Sequence, residues 1–466
     1  MNSSKGNNST AMRFLPIFLL AATLAGQEAY PTNLTLTQTV ETALKNYPSI
    51  RVSQEQINAA AAGIQLARTA YLPRVDMVAQ ANRATRNNVF GLLLPQNVIP
   101  SMSGPVLGTD NLGTAWGSAI GTLVTWEPFD FGARDASVAA ATAARTRQEA
   151  TLKRTEFDVG AAAADAYVTL IAAQETVAAA QAGVDRAGVL ARTIGALVNA
   201  QLRPGADASR AQAELAAART QLIQARQAVE VARANLSQFV GAEPARIAAS
   251  APKLLQLPPE NAVAPLDTAA NPIAIEQNAA VDQLRAQLHI LERSYFPRFY
   301  LQGAAYARGT GAEVNGTNLG GFNGLAPNYQ NYAVGFSVSF PVFDIASIRA
   351  KETAQSATIR AETARAQQIA VELKARWNAA VANLGGARNV AANTPVQVTA
   401  ARAANDQATA RYRSGLGNID EVAEAQRLLT QAEIDDALAR LAVWRALLGI
   451  AIAVGDLQPF LAEASQ

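Results

Sequence analysis

The chain repeats itself, and that repeat limits what it can fold into. Residues 48 to 74 begin at Pro48 and pass through Tyr71, Pro73 and Arg74; residues 272 to 298 begin at Pro272 and pass through Tyr295, Pro297 and Arg298, an offset of 224 without a gap. Further on, Phe129 and Asp130 correspond to Phe343 and Asp344, and a turn at Arg203 and Gly205 is matched to one at Arg413 and Gly415. Each half reads helix, strand, loop, strand, long helix, turn and returning helix. The expected divisions are 1–25 as a leader, 26–245 as the first repeat, 246–271 as a linker rich in Pro and Ala, and 272–466 as the second repeat.

One strand in each half is two-faced. Tyr332, Val334, Phe336, Val338 and Phe340 alternate with Ala333, Gly335, Ser337 and Ser339, so bulky apolar groups share one face and small or polar groups the other. In the first half Trp116, Ile120, Val124 and Trp126 alternate in the same way with Gly117, Ala119, Gly121 and Thr125. At about 3.3 Å per residue the two tryptophans stand about 33 Å apart, which suits the aromatic belts of a tilted membrane strand. The bulky residues of both strands are therefore expected to face lipid, with the small face toward a water-filled lumen. The same alternation would also serve a sandwich strand with its tryptophans in the core.

The helices are long and rich in alanine. A first helical segment runs from Leu36 to about Tyr71, where Pro73 stops it. After Pro128 a second pattern reaches about Gln201, with Asp130 placed to cap it; about 70 residues make a helix of roughly 105 Å. The turn at Leu202, Arg203, Pro204 and Gly205 sends the chain back from near Asp207 to near Gly241. On that return Ala211, Leu215, Ala218, Leu222, Ala225, Val229, Ala232 and Leu236 keep an alternating four-three spacing, a coiled-coil seam. The second long helix, Ile345 to about Tyr412, contains Gly385, Gly386 and Pro395, where a bend is expected. Loops rich in Gly, Pro and Asn join the strands: one runs through Gly91, Pro95, Pro100, Gly104 and Pro105, the other from Gly309 to Asn328.

The N-terminus reads as an export signal. Lys5 and Arg13 precede an apolar run from Phe14 to Leu24, followed by Ala25 and Gly26, with cleavage expected after Ala25. No other run approaches the length of a membrane helix, so a membrane location requires strands. The chain has no cysteine, which excludes disulfides, thiol catalysis and a lipidated N-terminal Cys. A net charge of +2, with no basic patch interleaved with aromatics, offers no field for nucleic acid. His289, the one histidine, has no obvious partner and is expected to be structural; Asp435 and Asp436 adjoin on a helix and so point apart. With no nucleophile-and-base constellation, the expectation is no enzyme, no cofactor and no metal.

Four strands cannot close a transmembrane barrel, whose observed minimum is about eight, so several copies must contribute. At this point the segments Trp126-Glu-Pro-Phe-Asp-Phe-Gly, Phe340-Pro-Val-Phe-Asp and Tyr412-Arg-Ser-Gly-Leu-Gly-Asn-Ile carry a resemblance. Taken with the leader and the two repeats, they make the chain resemble the TolC-like outer-membrane efflux protein family. The resemblance implies a mixed α and β membrane protein: a long α-helical coiled-coil barrel in the periplasm, continued by an outer-membrane β-barrel that three copies complete. It implies a passive exit duct of a tripartite efflux or type I secretion system, docked to a periplasmic adaptor and an inner-membrane pump or secretion transporter. It also places adaptor contact at the tips, here Arg203, Gly205, Asp207, Tyr412, Arg413 and Gly415, and acidic gate residues at Glu421 and Glu424. Gly417 departs from the pattern, since some relatives carry a basic residue there that ties the closed tip. The rival reading is a soluble periplasmic coiled-coil structural or adaptor protein.

Overall fold

The computed structural model describes residues 33–85, 113–260, 263–313 and 317–465. The expected leader, and the first inter-strand loop from Gly91 to Pro105, lie outside the described residues. In chain order the elements are β1 (Asn33–Leu34), α1 (Leu36–Asn46), α2 (Pro48–Thr69), β2 (Arg74–Thr85), β3 (Thr114–Trp126), α3 (Ala133–Asn199), α4 (Gly205–Val240), β4 (Ala248–Ala249), α5 (Pro272–Arg293), β5 (Arg298–Thr310), β6 (Tyr329–Ser339), α6 (Ile345–Arg413), α7 (Ile419–Val454) and α8 (Gln458–Ser465).

The expected first helix is two helices. Tyr47 is extended, at φ −70 and ψ 126, because a residue before proline is pushed out of the helical region, and Pro48 then opens α2. Asp130 acts as expected, although the residue in the capping position is Gly132. The Asp130 carboxylate accepts from the backbone N–H of Gly132 at 3.1 Å and of Arg134 at 2.7 Å. Burial alone would raise its pKa, but the hydrogen bonds from Arg134 and Gly132 win and hold it below the usual carboxylate range.

The two long helices, of 67 and 69 residues, each turn back into a returning helix of 36 residues. Seven of the eight seam positions in α4 are buried and Ala218 packs partly buried beside them, against Leu190 and Ile194 of α3. The α3 helix also packs on α7 through small residues. A Cβ added to Gly183 would stand 2.9 Å from Thr430 Oγ1, so only glycine allows that approach. No break in the α6 helix appears at Gly385, Gly386 or Pro395. Proline removes the donor to the carbonyl four residues before it, yet Leu384, Ala391 and Thr394 are buried, and the Thr394 hydroxyl donates to Asp436 at 2.8 Å. Packing of this stretch accompanies the helix through the lost bond.

The largest core gathers Tyr167 and Leu170 of α3, Leu236 of α4, Trp444 and Leu448 of α7, and Phe460 of α8. Leu254 is wholly buried in it, so the segment read as an irregular linker contributes to the core, and its β4 pairs in parallel with β1. The α7 helix corrects a second expectation. It is long and apolar enough to cross a membrane, with a mean hydropathy of 1.8 over its best window. Its apolar side chains, Trp444 and Leu448 among them, are core contacts.

The remaining sheet has four antiparallel strands in the order β2-β3-β5-β6, two hairpins joined through β3 and β5. It stands beyond the helices that flank it in sequence, one hairpin from each repeat.

Candidate duct surfaces and gate

Register decides the two faces of the sheet. Val75, Val124, Gly303 and Val334 face one another across the four strands, and residues directly opposite in neighbouring strands share a face. Trp116, Ile120, Val124, Trp126, Tyr332, Val334, Phe336 and Val338 therefore lie on one face, and Phe340 continues it one residue past β6. That face is open: Tyr332 is 86% exposed, Val334 77% and Phe336 64%, and Met77 and Leu301 extend it onto β2 and β5. The opposite face holds Asp76, Gln80, Asn82, Gln302, Arg308, Asn331 and Ser337 around a small apolar cluster of Leu123, Ala304, Val78, Tyr306 and Ala333. A soluble sandwich would bury the bulky face instead.

At the far end of the helices the two turns are joined to each other. The Arg203 guanidinium donates to the Tyr412 backbone oxygen at 2.6 Å and lies 4.5 Å over the Tyr412 ring, and the Tyr412 hydroxyl donates to Asp207 at 2.9 Å. Burial, and then the hydrogen bond to Asp207, push the Tyr412 hydroxyl up to about 12, so it remains a donor at any physiological pH. Beneath the clasp Ile194, Leu215, Tyr412, Ile419 and Val422 form one apolar cluster, and Arg210 bridges α4 to Asp420 at 3.1 Å.

The tip residues expected to meet a partner therefore separate into two groups. Tyr412 is 2% exposed and works inside the tip with Arg203 and Asp207, whereas Gly205, Arg413 and Gly415 stay exposed. The sequence match between the turns was also out of step. The α7 helix lies 214 residues after α4 at both ends, and the left-handed residues that close the long helices are Gln201 (φ 60) and Gly415 (φ 78). Structurally, then, Leu202 matches Leu416, Arg203 matches Gly417 and Asp207 matches Glu421. The first tip carries the basic residue that the second lacks at Gly417. Leu202 and Leu416, 69% and 73% exposed, are equivalent apolar points that the sequence reading missed. The offset of 214 that already relates Asp130 to Asp344 would have found them.

Glu421 and Glu424 lie on the exposed face of the first turns of α7, three residues apart. Neither stands alone: Arg411 Nε is 3.6 Å from Glu421, and Arg427 Nη2 is 2.8 Å from Glu424. His289 has partners on its own helix, with Glu292 Oε2 2.8 Å from Nδ1 and Arg293 3.3 Å from Nε2, which corrects the expectation of none. Asp435 and Asp436 do point apart, the first accepting from Gln431 and the second from Thr394 and Arg440. No group of acidic and histidine side chains able to hold a metal is found among the described residues.

A model of the outer membrane efflux protein family matches residues 39–242 and 270–456, most of both repeats. The chain belongs to this family. It is an outer-membrane efflux channel protein whose helical part stands in the periplasm; channels of the family form trimers and work with adaptors and pumps. Its fold is shared with solved channels. The outer-membrane channel OprN superposes with a TM-score of 0.72 at 22% identity, covering 90% of this chain and 89% of that one. The CmeC outer-membrane channel of Campylobacter jejuni gives 0.72 at 15%, covering 92% and 89%. The outer membrane protein VceC of Vibrio cholerae gives 0.70 at 16%, covering 90% and 96%. A search of curated proteins returned no match.

Proposed function

We propose that this chain is the passive outer-membrane exit duct of a tripartite efflux assembly, opened when a periplasmic adaptor and an inner-membrane pump engage its tips. One observation carries the reading: a single-sheet face of exposed Tyr332, Val334 and Phe336 stands at one end of two long helical hairpins whose other ends are clasped together. The nine bulky residues from Trp116 to Phe340 take the lipid, and the polar face with Gln80, Gln302 and Asn331 takes the lumen. At the tips, exposed Leu202 and Leu416 with Gly205, Arg413 and Gly415 offer the adaptor its contact, while Arg203, Asp207 and Tyr412 keep the duct shut. Glu421 and Glu424 stand at the mouth of the gate, partly balanced by Arg411 and Arg427.

Placing Asp at both 202 and 416 tests this. The exchange removes apolar contact area from two exposed positions and leaves the core alone. Export of a pump substrate should fall by about tenfold or more, since each buried leucine contributes about 1.5–3 kcal/mol to an interface. Outer-membrane level and oligomer should match wild type. Normal export by the double variant would contradict adaptor contact at these tips.

A further inference from the structure

The outer end of the sheet carries a feature that a plain exit duct does not need. Beyond β5 the described part of the loop, residues 311–313 and 317–328, doubles back over the strands. Gly311 N donates to Trp116 O at 2.8 Å, Leu319 N to Gly311 O at 2.9 Å, and Asn318 Nδ2 to Thr114 O at 3.0 Å. The covered face can be identified. A Cβ on Gly309 would meet Ala326 O at 2.2 Å and Ser118 Oγ at 2.7 Å, and Gly309 and Ser118 are register partners on the face of Ile120 and Val124. Gly324, at φ +98, lies over the Trp116 carbonyl so closely that a Cβ would come within 2.2 Å of that oxygen. The loop is thus laid on the bulky face of the sheet rather than over its polar face. Asn323 Nδ2 ties it by donating to Leu319 O and Gly320 O, and it holds Phe322 outward at 78% exposure.

Beside this loop stands a lone cation. Among the described strand residues on the bulky face Arg83 is the one charged side chain, opposite Trp116 in register. Its guanidinium lies 5.7 Å from the Trp116 ring centroid, its Nε donates to Thr114 Oγ1 at 3.1 Å, and it forms no ion pair among the described residues. A cation on a lipid-facing surface is costly at mid-bilayer and nearly free at the interface, where an anionic headgroup can meet it. A guanidinium binds phosphate through two parallel N–H bonds, and tryptophan and phenylalanine rings suit the zone between headgroups and acyl chains.

We propose that Arg83, Trp116 and the Phe322 loop form a seat for a phosphorylated lipid of the outer leaflet. The phosphate sits on Arg83, the loop flanks the headgroup with Phe322 in the interface, and the acyl chains run down Ile120 and Val124. The seat faces outward because the helices, at the opposite end of the strands, stand in the periplasm. This inference rests on the lipid-facing assignment of the sheet proposed above.

Native mass spectrometry of the full-length, detergent-purified protein tests it, with a glucosamine disaccharide lipid bearing two phosphomonoesters as the probe. Wild type should retain this lipid in preference to its dephosphorylated form. Arg83→Gln should lower retention by about tenfold, the loss of one charge-assisted contact, and Arg83→Lys should restore part of it. Unchanged retention by Arg83→Gln, or equal retention of the dephosphorylated lipid, would overturn the seat. A parallel reconstitution in vesicles with brominated acyl chains reads the underlying assignment. If fluorescence from Trp116 and Trp126, identified by its loss in a double Phe variant, is quenched while Arg83→Gln changes nothing, the seat alone is wrong. If that fluorescence is not quenched, the lipid-facing assignment fails and the seat with it.

Discussion

Tyr412 is the residue that joins the two turns. Its ring takes the Arg203 guanidinium, its hydroxyl serves Asp207, and it is almost wholly buried. Tyr412→Phe keeps the ring and deletes the hydroxyl, so the effect should be about 1–3 kcal/mol on the clasp, with the apolar cluster beneath intact. In planar bilayers the variant should leak more current than wild type. The pH dependence follows from the raised pKa. Tyrosine ordinarily titrates near 10, and here near 12, so the hydroxyl's contribution is complete below about 10 and is lost as pH rises toward about 12. Wild-type leak should therefore be flat from pH 6 to 9 on this group's account and climb above pH 10, while the Phe variant lacks the climb; a matching climb in the variant would exclude Tyr412. The partners of the clasp were legible as tip residues, but their pairing was not. Matching Arg203 to Arg413 placed like charges at equivalent points, whereas the helix ends pair Arg203 with Gly417.

At the scale of elements, periodicity was the readable signal and close approach was not. The seam of α4 from Ala211 to Leu236 was visible because a coiled coil repeats its contacts. Nothing periodic announces that Thr430 must meet Gly183, that Leu254 enters the core, or that the apolar stretch of α7 packs against protein. The alternation in β3 and β6 was equally visible, but only the register shows both strands turning their bulky residues to one side. The start of α7 shows what the resemblance alone does not weigh. Glu421 and Glu424 read as acidic gate residues, yet Arg411 and Arg427 stand beside them. Replacing both glutamates with Ala should accordingly do more than weaken cation preference: it leaves two arginines at the mouth and should shift the reversal potential toward anions. An unchanged reversal potential under a salt gradient would remove the pair from the gate.

The whole molecule has to close its sheet edges. A four-stranded sheet with a bulky exposed face has two open edges, at β2 and β6, and lipid offers their backbone groups no hydrogen bonds. Three copies give twelve strands, above the minimum of about eight, and bring three clasped tips together at the other end. The twofold internal repeat made the four strands per chain, and the need for several copies, legible in the sequence, because each half supplies one strand hairpin and one helical hairpin; the number three came from the family resemblance. The measurement that tests it most directly is the protein mass of the detergent-extracted particle, by light scattering with the bound detergent subtracted. A barrel closed by three copies should give three times the chain mass, which is 48.9 kDa before any leader is removed. A stable particle of one chain, or one that stays soluble without detergent, would contradict it.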